Sequence, residues 1–529
     1  MQTFVLVKNQ RKVSNLHNAI RRSKKTNLHP MTLRKLAGDT LIYGSGFILG
    51  KVLNYVMIAI YLTWKFDGET EKYGLYTEFY FYVALLLVIL TLRMETTFFR
   101  FGSEDGQKSK AYDQAAMLLV LTSGIWIACL FLWNTEIAAA LQYPGFEMHI
   151  VVLGLVLALD ILVAIPFAAL RLEERPLRFA ALRISGITIN VIAVLGFLEL
   201  MPILADGGNA FVQSWYNPEH SLLYVFIANL LGSLFVFLAF FSRYFKMKWN
   251  FDKELSKRML RYALPLIIVG IAGVINQSGY IVLLKTVLPG DLMTNLSEGG
   301  VYAAATKIAI LMSLFITAFN YAAEPFFFNH SKNKEAKQTY ADVAKAFTLV
   351  GTTLFVGILM YLDLIQLMLG SSYRTGMHVV PILLMAFFML GLYYNFSIWY
   401  KLTDRTRYGA IISSIGALIT VGLSFYLIPL FNMEGSAWAT LACYTFMAGA
   451  CYVIGKKYYR VPYDMGRIGT LVLLALATYG ISVFVNGLVD GPLGITLAIN
   501  TALMGGFLWV IFGMEREMIV SVLRKRSGG

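Results

Sequence analysis

Seven residues capable of polar chemistry lie inside long apolar stretches: Lys51, Asn54, Glu78, Asp160, Asn276, Gln277 and Lys307. A charge at mid-membrane costs about 2.5–3.5 kcal/mol on an insertion scale, so such groups face a protein interior or a wet cavity. Lys51 falls on a helical stripe with Thr40, Gly44, Phe47 and Asn54. Lys307 lies about 12 Å from the outer end of its span at the helical rise, beside Thr306, Ser313, Thr317, Asn320 and Glu324. Lys51 and Lys307 read as cations near the membrane centre that line a substrate path. Glu78 and Glu95 bracket the second apolar segment, Asp160 is at mid-depth in the fourth, and Asn276 and Gln277 lie midway through the seventh. A second reading is that Lys51, Asp160 and Glu78 pair with one another as buried structural bridges. Arg93, Glu95, Glu324 and Arg183 fall near segment ends, where long side chains snorkel to the interface.

Other chemistry is not written in the chain. The six histidines are scattered, with no pair at metal-ligand spacing. Gly44 to Gly50-Lys51 imitates a phosphate-binding loop, but the spacing is one residue too long and Val52 stands where Ser or Thr belongs. No loop is large enough to hold a catalytic constellation. The expectation is a protein with no catalytic residue, metal or cofactor.

The elements that position these residues are helices. Apolar segments long enough to cross a bilayer fall at 36–62, 74–98, 112–134, 148–172, 177–200, 220–245, 259–284, 299–326, 339–362, 376–400, 407–430, 435–455, 466–487 and 491–513. With both termini inside, nearly all of the 45 Lys and Arg fall in the tails and the cytoplasmic loops. Lys65, Lys72, Lys285 and Arg374 are the outward-facing remainder. This asymmetry predicts an all-α polytopic membrane protein of about fourteen spans with both termini cytoplasmic. The chain is 57% hydrophobic with a mean hydropathy of +0.63, which excludes a soluble protein with one anchor. The net charge of +14 sets topology and does not indicate nucleic-acid binding. Cys129, Cys443 and Cys451 lie within spans and read as small packing residues.

An internal repeat organises the spans. Gly74-Leu75-Tyr76 opens the second and Gly300-Val301-Tyr302 the eighth; Glu95-Thr96-Thr97-Phe98-Phe99 and Glu324-Pro325-Phe326-Phe327-Phe328 close them. An offset of six spans keeps membrane orientation, so the repeats are parallel about an axis along the membrane normal. The expected organisation is a basic cytoplasmic tail over 1–33, an N-lobe of six helices over 34–245 and a linker over 246–258. A C-lobe of six helices over 259–458, two extra helices over 459–513 and a cytoplasmic tail over 514–529 complete it. Pro166, Pro265, Pro381 and Pro429 mark either bending points or simple packing kinks of the kind membranes tolerate.

The stretch Leu36-Ala37-Gly38-Asp39-Thr40-Leu41-Ile42-Tyr43-Gly44, the Gly74 motif, Met94-Glu95-Thr96-Thr97-Phe98-Phe99-Arg100-Phe101 and Ala322-Ala323-Glu324-Pro325-Phe326-Phe327-Phe328 resemble bacterial polysaccharide-biosynthesis (O-antigen type) flippases. These belong to the superfamily that includes multidrug extruders and lipid II flippases. The resemblance implies two six-helix lobes around a cavity, alternating access, and residence in the bacterial inner membrane. It implies an undecaprenyl-pyrophosphate-linked oligosaccharide as cargo, for cell-surface polysaccharide or lipopolysaccharide synthesis. Membrane lipid and a polysaccharide polymerase are the implied partners, and Lys51 and Lys307 could supply a cationic lumen. Drug extruders of the superfamily commonly carry an acid within the first span; here the embedded charge is Lys51. An ion-driven small-molecule exporter and a lipid II flippase are the alternatives.

Overall fold

The computed structural model describes residues 55–102, 107–330, 336–403, 405–489 and 491–527. The tail over 1–33, most of the first span with Lys51 and Asn54, and the loop around Lys334 lie outside the described residues.

Twelve helices among the described residues are long and apolar enough to cross a membrane. Helix is the expected answer in hydrocarbon, where every backbone N–H and C=O must be satisfied within its own segment. One of these helices, Arg407–Tyr458, runs for 52 residues and contains two predicted spans, joined through Asn432 in a left-handed conformation (φ 49°). The described helices therefore account for the second to fourteenth predicted spans, and Tyr55–Lys65 forms the outer end of the first.

Several helices are interrupted, one of them at Asn432 just after Pro429, the others away from the prolines. The second span is Thr70–Leu90 followed by Met94–Gly102, with left-handed Leu92 and Arg93 between them. The seventh span is Lys253–Ser278 followed by Tyr280–Val287. Its start is fixed by Asp252, whose carboxylate accepts a hydrogen bond from Leu255 N at 2.9 Å, the usual side-chain cap of an orphan helix N–H. Non-helical residues also occur at Trp133 and Glu515. Pro166, Pro265 and Pro429 all lie inside helices, where neighbouring helices satisfy the freed carbonyls.

The second and eighth spans cross at their repeated motifs. A Cβ on Gly74 would collide with the carbonyl oxygen of Leu296, and a Cβ on Gly300 with that of Thr70. Only glycine lets the two backbones touch, as small residues do at membrane helix interfaces generally. Thr70 Oγ1 and Ser297 Oγ, 2.5 Å apart, close the same crossing. One large apolar core spreads from here through both halves, including Tyr73, Phe79, Leu296, Tyr302 and Phe388. A second fills the other end of the second, third, fourth and seventh spans around Phe98, Leu119, Ile165 and Met259. Large apolar side chains such as Leu132, Phe245, Leu418 and Trp509 point outward, as lipid-facing positions require.

The last two spans, Met465–Val489 and Leu493–Ser527, pack on the ninth, Ala336–Met360. At one end Asn500 Nδ2 donates to Met360 O at 2.9 Å, while its Oδ1 accepts from Ser482 and Asn486. At the other end the buried Glu515 carboxylate takes Lys345 at 2.6 Å and also Arg467.

Candidate functional site

Two cavities open within the bundle. The smaller, of about 530 Å³, is walled by the second, fourth, fifth and sixth spans and reached by Lys307 from the eighth. Its polar lining includes Thr77, Tyr80, Asp160, Arg183, Asn190, Asn229 and Ser233, with Ser278 and Tyr280 contributed by the seventh span. Ser233 Oγ donates to Asp160 Oδ1 at 3.0 Å, and Asn229 Nδ2 donates to Tyr80 OH at 2.6 Å. The Arg183 guanidinium lies 5.0 Å from the Phe167 ring centre, within cation–π range.

The larger cavity, of about 940 Å³, is walled by the seventh, eighth, tenth, eleventh and twelfth spans. Asn276, Gln277, Ser313, Thr317 and Asn320 line it, with Arg93, Lys401 and Arg407 as its charged groups. No carboxylate lines it among the described residues. Asn276 also ties helices together. It donates to Ser413 O at 3.3 Å, accepts from Thr420 Oγ1 at 3.1 Å, and its backbone carbonyl accepts from Tyr444 OH at 3.1 Å.

The expected site residues therefore divide. Lys307 and Asp160 share one cavity, and Asn276 and Gln277 share the other. Glu78 lines neither. It is fully buried and meets Lys285 at 2.9 Å, with Tyr82 OH donating at 3.0 Å and Tyr143 OH donating as well. The bridge expected for Glu78 thus exists, but with Lys285, which charge counting had put on the outside. Lys285 sits on the short helix Tyr280–Val287 with its side chain buried in the bundle. Arg93 and Arg183, expected to snorkel, line the two cavities instead. The left-handed turn at Leu92–Arg93 redirects Arg93 towards the seventh span, where its Nε donates to Leu266 O at 3.4 Å. Glu95 does stay at the edge, paired with Arg171 at 2.7 Å. No group of three or more His, Cys, Asp or Glu among the described residues could hold a metal.

On the face that charge assigns to the outside, the short loops interlock. Asp67 accepts from Ser371 N at 2.9 Å, Ser371 Oγ at 2.8 Å and Ser372 N at 2.8 Å. The Ser372 N–H, with Ser371 beside it, holds the Asp67 carboxyl well below the usual carboxylate range. Trp64 Nε1 donates to Met368 O at 2.8 Å and Tyr373 OH to Phe66 O at 3.0 Å.

The sequence profile described as "Polysaccharide biosynthesis protein" matches residues 69–377. No curated protein matches by sequence. Among solved structures, the lipid II flippase MurJ in an inward closed conformation superposes with a TM-score of 0.68 at 13% identity, over 90% of this chain and 100% of that one. A multidrug resistance MATE family transporter of the MOP superfamily superposes in its inward-facing conformation with a TM-score of 0.58 at 13% identity, over 82% of this chain and 95% of that one. Its outward-facing conformation gives 0.54 at 12% identity, over 83% and 96%. At these identities the likeness is one of fold. The profile match spans more than half the chain, and the chain is therefore a polytopic membrane protein of the polysaccharide biosynthesis protein family, with the fold of the MOP superfamily.

Proposed function

We propose that the protein is an alternating-access flippase that moves a lipid-linked oligosaccharide of the undecaprenyl-pyrophosphate type from the cytoplasmic to the outer leaflet of the bacterial inner membrane. The observation that carries this reading is the sign of the cavity charge. Among the described residues five cations, Arg93, Arg183, Lys307, Lys401 and Arg407, line the two cavities against one carboxylate, Asp160. Such a lining favours an anionic pyrophosphate over a cationic drug. Lys51 and Asn54 belong to the same proposed site by their stripe in the sequence.

The two-lobe organisation is part of the proposal. The reciprocal glycine crossing supports it, as does the way corresponding spans of each half wall one cavity each. Family membership favours an oligosaccharide on the lipid, with a polysaccharide polymerase as downstream partner. Lipid II carries the same pyrophosphate chemistry, and the superposition on a lipid II flippase keeps it as the nearest competitor. An ion-driven small-molecule exporter is the second reading; Asp160, a carboxylate in a membrane cavity, favours it.

The test is depletion of the protein followed by leaflet analysis of the lipid-linked sugars. Oligosaccharide trapped on the cytoplasmic leaflet is the expected result. Trapped lipid II would select the competitor. Unchanged lipid distribution with raised drug sensitivity would select the exporter.

A further inference from the structure

Glu78 and Lys285 make a buried ion pair that neither cavity uses. Glu78 belongs to the second span and Lys285 to the short helix Tyr280–Val287 that ends the seventh. The pair therefore joins the two sequence halves directly. Its side chains are 0% and 5% exposed. Lys285 Nζ also donates to Leu141 O at 2.8 Å, at the end of the third-span helix, and lies 4.2 Å from the Tyr143 ring centre. Both carboxylate oxygens of Glu78 are engaged, one by Tyr143 and the other by Lys285 and Tyr82. Asn295 Nδ2 holds Lys285 O and Leu288 O at 3.0 and 2.9 Å, fixing the short helix to the eighth span.

The location gives this pair a role beyond packing. It lies one helical turn beyond the Gly74–Gly300 crossing, next to the cavity residue Thr77, with the interlocked loops at Asp67 further towards the outer face. A path from the outer face to that cavity cannot open between the two halves while Glu78 holds Lys285. Two fully satisfied buried charges are stable together, but each is strongly disfavoured once alone in a dry interior. Separation therefore has to be concerted with entry of water, which makes a two-state switch and not a gradual hinge. The geometry points to Glu78–Lys285 as a latch that holds the outer side shut and sets the ratio of inward-open to outward-open protein. This rests on the alternating-access reading, but not on the identity of the cargo.

The experiment places a cysteine at Thr77 in otherwise native protein and measures its reaction with an impermeant thiol reagent added outside intact spheroplasts. A cysteine at Asn209 serves as the reference for a site exposed throughout. Glu78→Gln and Lys285→Met are each expected to raise the relative rate at position 77 about tenfold, the scale of a modest population shift. The reversed pair, Glu78→Lys with Lys285→Glu, is expected to bring it back down. A purely structural pair would lower protein yield or melting temperature without changing the ratio of the two rates. Unchanged ratios in folded Glu78→Gln and Lys285→Met overturn the latch. If either single variant fails to fold, the reversed pair decides, because a latch leaves position 77 as protected as in the native protein and open labelling there overturns it. No cargo is needed for the measurement. Loss of the rate change with normal flipping removes only the latch, whereas a normal rate change with no oligosaccharide movement removes only the cargo assignment.

Discussion

Gly74 and Gly300 contact each other's helices reciprocally, the first against the carbonyl of Leu296 and the second against that of Thr70. Thr70 precedes Gly74 by one turn, as Leu296 precedes Gly300. The two contacts are thus interchanged by a half-turn about an axis between the glycines, the signature of an isologous interface. The two short motifs that match in the sequence meet in the fold, one on each of the two crossing helices.

Backbone atoms cannot move aside as flexible side chains do. Gly74→Ala and Gly300→Ala are each expected to destabilise the protein by about 1–3 kcal/mol, the range for forced overpacking. Thermal unfolding of purified protein measures this. An unchanged melting temperature in both would show that the helices do not cross so closely.

Lys307→Ala and Arg183→Ala are expected to lower oligosaccharide flipping at least about tenfold, the factor that follows from losing ~1.4 kcal/mol of head-group binding. Folded protein should remain in the membrane at normal levels. Lys307→Arg should keep part of the activity, since the charge survives. Full activity in both alanine variants would remove these cations from the substrate path.

Asp67 gives a pH dependence with a definite sign. Its carboxyl is depressed in the folded protein, so it contributes stability above its ordinary value of about 3.8, and that contribution is lost as pH falls further. The native melting temperature should be insensitive to this group between pH 5 and 8 and decline below about pH 4. Asp67→Asn should lower the melting temperature at neutral pH and flatten the acid limb. An identical acid limb in native protein and variant would exclude Asp67 as its source.

Orientation can be read directly. A cysteine at Asn209 should react with an impermeant reagent in intact spheroplasts, and one at Lys257 should react only after lysis. The reverse pattern would invert the topology argued from the basic loops.

Glu515→Ala removes the one acceptor shared by Lys345 and Arg467. Charge-assisted hydrogen bonds are worth about 1.5–3 kcal/mol, and both cations keep partial access to solvent, so a loss near the lower end is expected. Asn500→Leu should cost about 1 kcal/mol, the scale of interhelical polar contacts in membranes. Proteolysis in the loop between Tyr458 and Met465 should accelerate in both. Unaltered cleavage would mean that packing alone holds the last two helices.

The long apolar helices from the second span onward were legible because hydropathy reports burial in lipid without reference to partners. Asp160, Lys307, Asn276 and Gln277 stood out in the sequence because a polar group deep in a span has few destinations, and the structure sets them against the two cavities. Glu78 and Lys285 were not. Lys285 follows the apolar run of its span and so reads as an outer-end charge, while the face it takes is set by packing against Leu141 and Tyr143. Arg93 and Arg183 were misread as snorkelling for a similar reason. Depth along a helix says nothing about which face a side chain occupies, and at Arg93 the left-handed pair Leu92–Arg93 changes that face. Of the two readings of the prolines, Pro166 and Pro265 follow the tolerated one inside their helices, and Pro429 lies close to a break, at Asn432.

The last two helices grip the ninth at both ends, through Asn500 on one side of the membrane and Glu515 on the other. A hairpin pinned twice to one neighbour travels with that neighbour as a single body. A dye placed in the turn between Val489 and Leu493 therefore reports the orientation of the ninth helix from outside the cargo path. Paired with a dye at Asn209, it provides a molecular ruler for following one turnover cycle in a single protein.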